Sequence, residues 1–554
     1  MKLHIANANG IDKGLFAVAE GIVQNADALA TELSANPTDL ADVVMAAFLR
    51  WGADFPNRLH GTFAAAVFDM DGNHLYLCRD RFGTIPLFYT ETKDGLAFGS
   101  FTDEFMARGI VPRTADLQAV WDYLTLGIVP QPRTMVKGVH SIGPGEMIEF
   151  DFKTRKCTRR RWWRLEIDSS YACLSYDEGR GQLRQAIVDA VKEMDIQKTR
   201  LLLSGGQDSA TLLAALSSVH KNVPTLTLGY EKSHQAFDES GRARRLVEHF
   251  GADAKFVTIS DWDAAKHFSK FIKAMDQPSR DGFNVYLASK AAHDCGALYV
   301  ATGLGGDELF ESYPHLRRRL KAERIGKWLR FAAPLMKRLP DRFRHNLMLP
   351  FLSRAESLES IRAQLYDEGK REIVNPELLK DASLQPWLER CRDFVDDKES
   401  LAKCISRFDV ELDMEHTLLR DAYYQAGASQ ITPLSPLIDE KVAVMAYSLP
   451  TEFKLRDGRT KAIMVDTFET ELPDEVRHVP KHGFEMPLLA WLGGALLPQA
   501  REAFASPQAA MLFKKQYCLN WSERLASLQP RDYPLWSRFI LLEWMMARNI
   551  TDIQ

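Results

Sequence analysis

The stretch Leu201-Leu202-Leu203-Ser204-Gly205-Gly206-Gln207-Asp208-Ser209 decides the fold of this chain. Its leucines predict a buried strand, and the apolar run that follows predicts a helix, so the glycines lie in the turn between them. Glycine lets the backbone turn tightly and approach a ligand closely. The N–H groups at the start of the helix attract an anion. The serines add hydroxyl donors, and Asp208 adds a carboxylate suited to Mg²⁺. The stretch therefore predicts a site for the pyrophosphate of a nucleotide. Its spacing differs from the Gly-x-x-x-x-Gly-Lys-Ser/Thr motif of kinases and GTPases.

A second strand and glycine-rich turn follows at Tyr299-Val300-Ala301-Thr302-Gly303-Leu304-Gly305-Gly306-Asp307-Glu308. Between the two, Thr225–Gly229 reads as another strand and turn. Strands alternate with helical patterns from about residue 175 to 312, which predicts βαβ units, a parallel sheet and ligands at the carboxyl ends of its strands. From about residue 313 the pattern becomes mainly helical.

The first part of the chain is β-rich. Residues 62–69 and 74–80 read as a hairpin across 70–73, and short strands are predicted at 87–89 and 96–99. A stretch with several prolines follows. We therefore predict three regions: an N-terminal domain over residues 1–110, a connector over 111–170, and the parallel-sheet domain over 171–554.

Composition excludes several classes of protein. A formal net charge of -4 gives no global field that would attract nucleic acid. The seven cysteines are scattered and lack a Cys-x-x-Cys pair, which favours reduced thiols over disulfides or a zinc site. No stretch reads as a signal peptide or a membrane span. We expect a cytoplasmic protein that binds neither nucleic acid nor membrane.

Several motifs together resemble one family. Ser-Gly-Gly-x-Asp-Ser at 204–209 resembles the pyrophosphate loop of ATP pyrophosphatases, and 302–308 resembles the Ser/Thr-Gly-x-Gly-x-Asp-Glu motif of asparagine synthetases. Leu449–Lys461 and Pro480–Phe484 are similar to that family's C-terminal series. The resemblance covers about residues 15 to 545. It implies an α/β fold: a parallel-sheet ATP-pyrophosphatase domain with a helical C-terminal part, preceded by a β-rich glutaminase-like domain.

The resemblance also implies cofactors and site residues. It implies ATP and Mg²⁺, with the metal on Asp208 and Asp307. The residues implied around ATP and pyrophosphate are Leu203, Ser204, Gly205, Gly206, Asp208, Ser209, Leu228, Gly229, Gly303 and Asp307. Those implied in catalysis are Lys461, Lys481 and Glu308. Burial alone would explain the two leucines equally well, and Glu308 and Asp238 are either acid–base groups or buried partners of arginines.

The N-terminal region departs from glutamine-dependent members of the family. Those members carry a catalytic cysteine at position 2, where this sequence has Lys2. The segment Gly21–Asn25, similar to the family's Gly-Glu-Ile-Tyr-Asn, comes earlier than in full-length glutaminase domains and has Ile22 in place of the glutamate. We therefore expect a truncated domain without glutaminase activity.

Two departures affect the synthetase region. Leu304 stands where asparagine synthetases have a glutamate and β-lactam synthetases have a tyrosine, and leucine cannot accept a proton. Thr432–Asp439 lacks the glutamate and arginine of the family's Glu-Val-Arg-x-Pro-x-Leu-Asp, which argues against recognition of a small charged amino acid.

The motifs that remain suffice to adenylate a carboxylate with release of AMP and pyrophosphate, after which an amine attacks. The departures make the chain most similar to lasso-peptide cyclases, which join a precursor peptide's N-terminal amine to an Asp or Glu side chain. The expected partners are that peptide and a protease that processes it. The alternatives are a β-lactam-type intramolecular amide synthetase, an ammonia-dependent asparagine synthetase, and a catalytically silent relative that binds ATP or a peptide.

Overall fold

The computed structural model describes residues 1–2, 4–7, 14–34, 37–328, 352–380, 382–478 and 485–554. Lys481, one of the predicted catalytic residues, lies outside these ranges with the rest of the Pro480–Phe484 motif.

The N-terminal domain consists of two antiparallel sheets packed against each other. The strands up to residue 161 are β1 His4–Asn7, β2 Leu15–Val23, β3 Gly61–Asp69, β4 His74–Arg79, β5 Phe88–Thr92, β6 Gly95–Gly99, β7 Thr114–Ala115, β8 His140–Ser141, β9 Glu146–Asp151 and β10 Lys156–Arg161. The sheet orders are β1-β6-β5-β8 and β10-β9-β4-β3-β2. Alternation along β3 explains the layers: Phe68 points into a core shared with Phe98 of the other sheet, whereas Val67 packs towards Val44 of a helix on the outer face.

The predicted hairpin is confirmed, since β3 pairs with β4 and Asp69 lies opposite His74. The short strands predicted near 87–89 and 96–99 form the antiparallel pair β5 and β6. The N-terminal sheets extend beyond residue 110, however, because β8 pairs with β5 and β9 pairs with β4. Much of the predicted connector, up to Arg161, is therefore part of the N-terminal domain.

The second domain is built on a parallel sheet, as predicted. Its order is β13-β12-β11-β14-β15, and each neighbouring pair is parallel. Strand β14 lies directly beside β11, with Leu201 opposite Ala301. The two glycine-rich turns that follow these strands therefore meet at one edge of the sheet. The strands are β11 Thr199–Leu202, β12 Pro224–Tyr230, β13 Asp253–Ile259, β14 Tyr299–Ala301 and β15 Thr432–Leu434.

Helices cover this sheet and make up most of the C-terminal part. A π-helix over Asp409–Leu419 joins α10 and α11 into one continuous helical segment. The described α-helices of eight or more residues are α1 Leu40–Trp51, α2 Leu117–Leu126, α3 Tyr176–Lys192, α4 Gln207–Val219, α5 Ser240–Phe250, α6 Asp261–Ala274, α7 Phe283–Asp294, α8 Pro314–Trp328, α9 Arg354–Arg362, α10 Leu401–Phe408, α11 Arg420–Gly427, α12 Glu440–Ser448, α13 Leu497–Ala505, α14 Lys515–Arg524 and α15 Pro534–Ala547.

The chain returns to its N-terminal half near its last residues. The short strand β16, Asp552–Ile553, pairs in parallel with β7. Within the described ranges, no helix combines the length and the apolar character needed to cross a membrane.

Candidate active site

The Ser-Gly-Gly-x-Asp-Ser loop at residues 204–209 lies where β11 leads into α4. Gly205 has φ +79°, a conformation that side chains other than glycine rarely adopt. The Ser204 Oγ accepts a hydrogen bond from the Gly206 N–H at 3.2 Å, and the Ser209 Oγ accepts one from the Ser204 N–H at 3.3 Å. These bonds fix the turn, and α4 follows it for 13 residues, so its free N–H groups point out of the loop.

The second turn packs directly on the first. A Cβ on Gly303 would lie 2.6 Å from the Cβ of Asp208, closer than two carbon atoms can pack. Gly305 has φ +90° and precedes the short helix that carries Asp307. The glycines of the second turn therefore let the Asp208 and Asp307 carboxylates come close together.

Lys461 joins the two carboxylates. Its Nζ lies 2.5 and 2.6 Å from the two carboxylate oxygens of Asp208 and 2.6 Å from Oδ1 of Asp307. Burial opposes its charge, but Asp208 and Asp307 outweigh that effect and raise the pKa of Lys461 to about 12. Its backbone has φ +54°, a left-handed conformation that costs free energy and is concentrated at functional sites. The lysine is thus a fixed positive charge.

The two carboxylates suit a magnesium ion. Both lie within 2.6 Å of one cationic nitrogen, so their oxygens converge on one small region. Among the described residues, no group of three or more His, Cys, Asp and Glu side chains could hold a metal ion. Magnesium fits this arrangement because it is held by one or two carboxylates together with the phosphates of a substrate.

A cavity of about 260 Å³ opens beside these residues. Its lining combines apolar side chains with the charged residues described above. This combination suits an adenine nucleotide, with the base against apolar side chains and the phosphates at the loop, and we call this space the nucleotide cavity. The apolar lining includes Leu202, Leu203, Leu226, Leu228, Val285, Ala288 and Val300, and the polar lining includes Ser204, Gly206, Gln207, Asp208, Ser209, Glu239, Arg242, Asn284, Thr302, Gly303, Asp307 and Lys461.

Some predicted residues lie away from the surface of this cavity. Gly205 forms the back of the turn, with its Cα facing Arg242, and Gly229 lies inside β12 rather than in a turn, beside Asp238. The Asp238 carboxylate accepts a hydrogen bond from the Ser240 N–H at the start of α5. These three residues therefore shape the site without lining it.

Glu308 is buried beneath the site. It receives a hydrogen bond from the Tyr313 hydroxyl. Burial, and then the adjacent Asp307 carboxylate, raise the pKa of Glu308 to about 7. Because Glu308 does not line the cavity, the structure gives it the position of a supporting residue below Asp307.

Sequence reasoning missed several lining residues, and Arg242 is the most important. Among the residues that the structure describes, it is the cation besides Lys461 in the cavity lining, and it pairs with Glu239 at 2.5 Å. Its proximity to the pyrophosphate loop comes from the packing of α5 on that loop, which no local pattern encodes. Leu304 also lines the cavity, so an apolar side chain occupies the position where the resembling families carry a carboxylate or a phenol.

Comparison with known proteins agrees with this geometry. Residues 182–546 match the asparagine synthase family, and residues 11–163 match a glutamine amidotransferase domain. Asparagine synthetase [glutamine-hydrolyzing] 1 of Bacillus subtilis is 25% identical over 96% of this chain and 85% of its own length. Asparagine synthetase [glutamine-hydrolyzing] 3 of the same organism is 23% identical over 84% of this chain and 74% of its own length. Amidase chyE of Penicillium rubens is 24% identical over 88% of this chain and 79% of its own length.

The match to the asparagine synthase family covers more than half of the chain and includes both glycine-rich turns and Lys461. Together with the parallel sheet and the site at its edge, it means that the protein belongs to the asparagine synthetase family, a family of ATP-dependent ligases that form amide bonds after activating a carboxylate.

Proposed function

We propose that this protein closes a macrolactam ring in a precursor of a lasso peptide. An Asp or Glu side chain of the peptide is adenylated, and the peptide's own N-terminal amine then displaces AMP. The observation that carries the proposal is a contrast inside one cavity. Asp208, Asp307 and Lys461 form an intact site for phosphate and metal, whereas the adjacent Leu304 has no group that could position ammonia.

In the first step, a carboxylate oxygen of the peptide attacks the α-phosphorus, and the bond to pyrophosphate breaks. Negative charge builds up on the phosphate oxygens, so fixed positive charge beside them lowers the barrier. Lys461 supplies such a charge and keeps its proton because its pKa is raised to about 12. Asp208 and Asp307 would hold Mg²⁺, which neutralises phosphate charge when bound.

In the second step, the amine attacks the acyl carbon, the bond to AMP breaks and the amine releases a proton. Glutamine hydrolysis is a poor source of this amine. The thiols of the described N-terminal domain are those of Cys78 and Cys157. Cys78 is fully buried in β4, and burial raises the pKa of both thiols, which disfavours the reactive thiolate. The peptide itself is therefore the proposed amine donor.

The segment after β15 supports a substrate larger than a free amino acid. Ser435, Pro436 and Ile438 carry no charge, and Asp439 is engaged as a helix cap through the Lys441 N–H at 3.0 Å. The proposed partners are accordingly the precursor peptide and, since the ring needs a free N-terminal amine, a protease that exposes this amine.

The test is to incubate the protein with ATP, Mg²⁺ and linear peptides that carry a free N-terminus and one internal Asp or Glu. We expect release of AMP and pyrophosphate and a product that has lost one water. Lys461→Met should abolish both, whereas Lys380→Met, at an exposed lysine that pairs with Glu377, should retain them. ADP and phosphate as products would refute adenylation. Turnover of only a small amino-acid derivative, or of aspartate with ammonia, would select one of the alternatives, and nucleotide binding without turnover would indicate a silent relative.

A further inference from the structure

Two large cavities lie between the N-terminal domain and the synthetase domain, outside the nucleotide cavity. Their volumes are about 550 and 540 Å³. They share four lining residues, Ile22, Thr62, Thr84 and Pro433, so they lie side by side. We call the two cavities together the interdomain crevice. A molecule the size of water or ammonia needs only about 30 Å³, so the crevice is built for something much larger.

The crevice borders the nucleotide cavity. The 550 Å³ part shares the lining residues Ala422 and Pro433 with it, and Pro433 lines all three spaces; we call these two residues the junction. A group that crossed the junction would enter the nucleotide cavity while the rest of its ligand stayed between the domains.

Apolar side chains line a large part of the 550 Å³ cavity. They include Ile22, Phe82, Leu419, Leu434, Ile438 and Val444. Ile22 is 40% exposed, where the resembling family motif carries a glutamate. An exposed isoleucine in the wall of a crevice favours an apolar occupant.

The charged groups in this part of the crevice are already engaged within the protein. Glu440 pairs with Arg81 at 2.8 Å and with His60 at 2.9 Å. Asp80 accepts backbone hydrogen bonds from Phe82 and Thr84, and Asp168 accepts one from the Ser170 N–H. Asp439 accepts one from the Lys441 N–H, and the exposed Lys441 side chain lies 3.8 Å from Asp189. An uncharged occupant is therefore favoured in this part of the crevice over a free, doubly charged amino acid, because the latter would leave its charges uncompensated.

Two sheet edges border the crevice and suit the backbone of a peptide. Strand β2 is the last strand of its sheet and contributes Glu20, Gly21 and Ile22; β15 is the last strand of the parallel sheet and contributes Thr432, Pro433 and Leu434. Among the described residues, neither strand has a partner on its outer side. Edge strands offer backbone groups to an extended chain, whose side chains then enter neighbouring pockets.

We propose that the interdomain crevice binds an extended, uncharged and predominantly apolar segment of the peptide substrate, and that the acidic side chain to be activated passes the Ala422–Pro433 junction into the nucleotide cavity. This inference rests on the proposed function for the identity of the substrate. It assigns the N-terminal domain a role in substrate binding.

The test is photo-cross-linking with a benzophenone amino acid placed at Ile22 or, as the matched control, at Phe16. Phe16 lies on the same strand and is 51% exposed, but it lines neither part of the crevice. The probes are two pools of linear peptides with a free N-terminus and one internal Glu, with either apolar or Lys-rich residues between them. We expect cross-links from position 22 with the apolar pool, and at least tenfold fewer from position 16 or with the Lys-rich pool. Equal labelling from both positions, equal labelling by both pools, or no labelling from position 22 would overturn the inference.

Kinetics on the same peptides give a second readout. Ile22→Asp should raise the peptide KM at least tenfold and leave the KM for ATP unchanged, whereas Phe16→Asp should change neither. An unchanged peptide KM in Ile22→Asp would contradict the inference.

Failure of the proposed function would give a different result: peptides would cross-link from position 22 without any release of pyrophosphate. Cyclisation without cross-links from position 22 would leave the proposed function intact and exclude the crevice.

Discussion

At the scale of single residues, the nucleotide cavity contains two cationic side chains that differ in burial and in the number of carboxylates that they contact. Lys461 is buried between two carboxylates, whereas the less buried Arg242 pairs with Glu239. The motif around Lys461 marks it in the sequence. Arg242, Arg244 and Arg245 stand close together in α5, and only the packing of that helix against Gly205 brings the first of them to the cavity.

Arg242→Gln should weaken ATP binding. Hydrogen bonds to charged groups contribute about 1.5–3 kcal/mol, and the substitution also removes the ion pair of Arg242 with Glu239, so negative charge beside the phosphates is less well balanced. We expect the KM for ATP, measured from initial rates of pyrophosphate release, to rise at least tenfold. Arg245→Gln is the matched control, because Arg245 is exposed and pairs with Glu475 at 2.8 Å. An unchanged KM for ATP in Arg242→Gln would remove this residue from the phosphate site.

At the scale of secondary-structure elements, the site arises from two similar units placed side by side. Each unit is a short parallel strand, a glycine-rich turn and a helix start, and the pairing of β11 with β14 aligns the two turns. The first turn supplies the N–H groups of α4, and the second supplies Asp307. The glycines of the second turn are needed because the backbone of that turn passes directly over Asp208.

Gly303→Ala should disrupt this contact. The added methyl group would lie 2.6 Å from the Cβ and 3.3 Å from the carbonyl carbon of Asp208, so the second turn would move away from the first. We expect at least a tenfold loss of kcat/KM and a higher Mg²⁺ concentration for half-maximal activity. Gly241→Ala is the control, because its Cβ would meet no atom within 4 Å. That variant should keep full activity and gain up to about 1 kcal/mol in stability, since alanine favours the helix. Wild-type magnesium dependence in Gly303→Ala would contradict the expected role of the second turn.

At the scale of the whole molecule, local patterns predicted the parallel sheet, both glycine-rich turns and the β3–β4 hairpin, because each depends on residues close together in the sequence. They failed at the end of the N-terminal domain. Strand β9 pairs with β4, about 70 residues earlier, and the intervening prolines resemble a linker. The interdomain crevice and Arg242 were missed for the same reason, since both depend on contacts between distant segments that periodicity cannot reveal.

The two domains are joined through the π-helix. Glu415 on that helix contacts Arg79 of β4 at 3.2 Å and accepts a hydrogen bond from the Gln131 side chain, and the neighbouring His416 accepts one from the Gln131 backbone at 2.8 Å. Burial raises the pKa of Glu415 to about 8 in spite of the nearby Arg79. π-Helical turns are frequent at functional sites, and this one connects the N-terminal domain to α11, which carries Ala422 at the junction of the crevice and the nucleotide cavity.

The attachment of the domains should therefore depend on pH through Glu415. A carboxyl group whose pKa is higher in the folded state contributes stability that is complete below its unfolded pKa, near 4.5, and is lost as the pH rises to about 8. Glu415→Gln keeps the shape and the neutral charge of the protonated carboxyl group. The free energy of unfolding, measured with urea, should therefore fall less between pH 5 and 8 in this variant than in the wild type. The two slopes should differ by at most about 1.4 kcal/mol per pH unit. Parallel pH curves for Glu415→Gln and the wild type would mean that Glu415 is ionised at the interface, and that the domains are held by a charged pair with Arg79 instead of by a protonated carboxyl group.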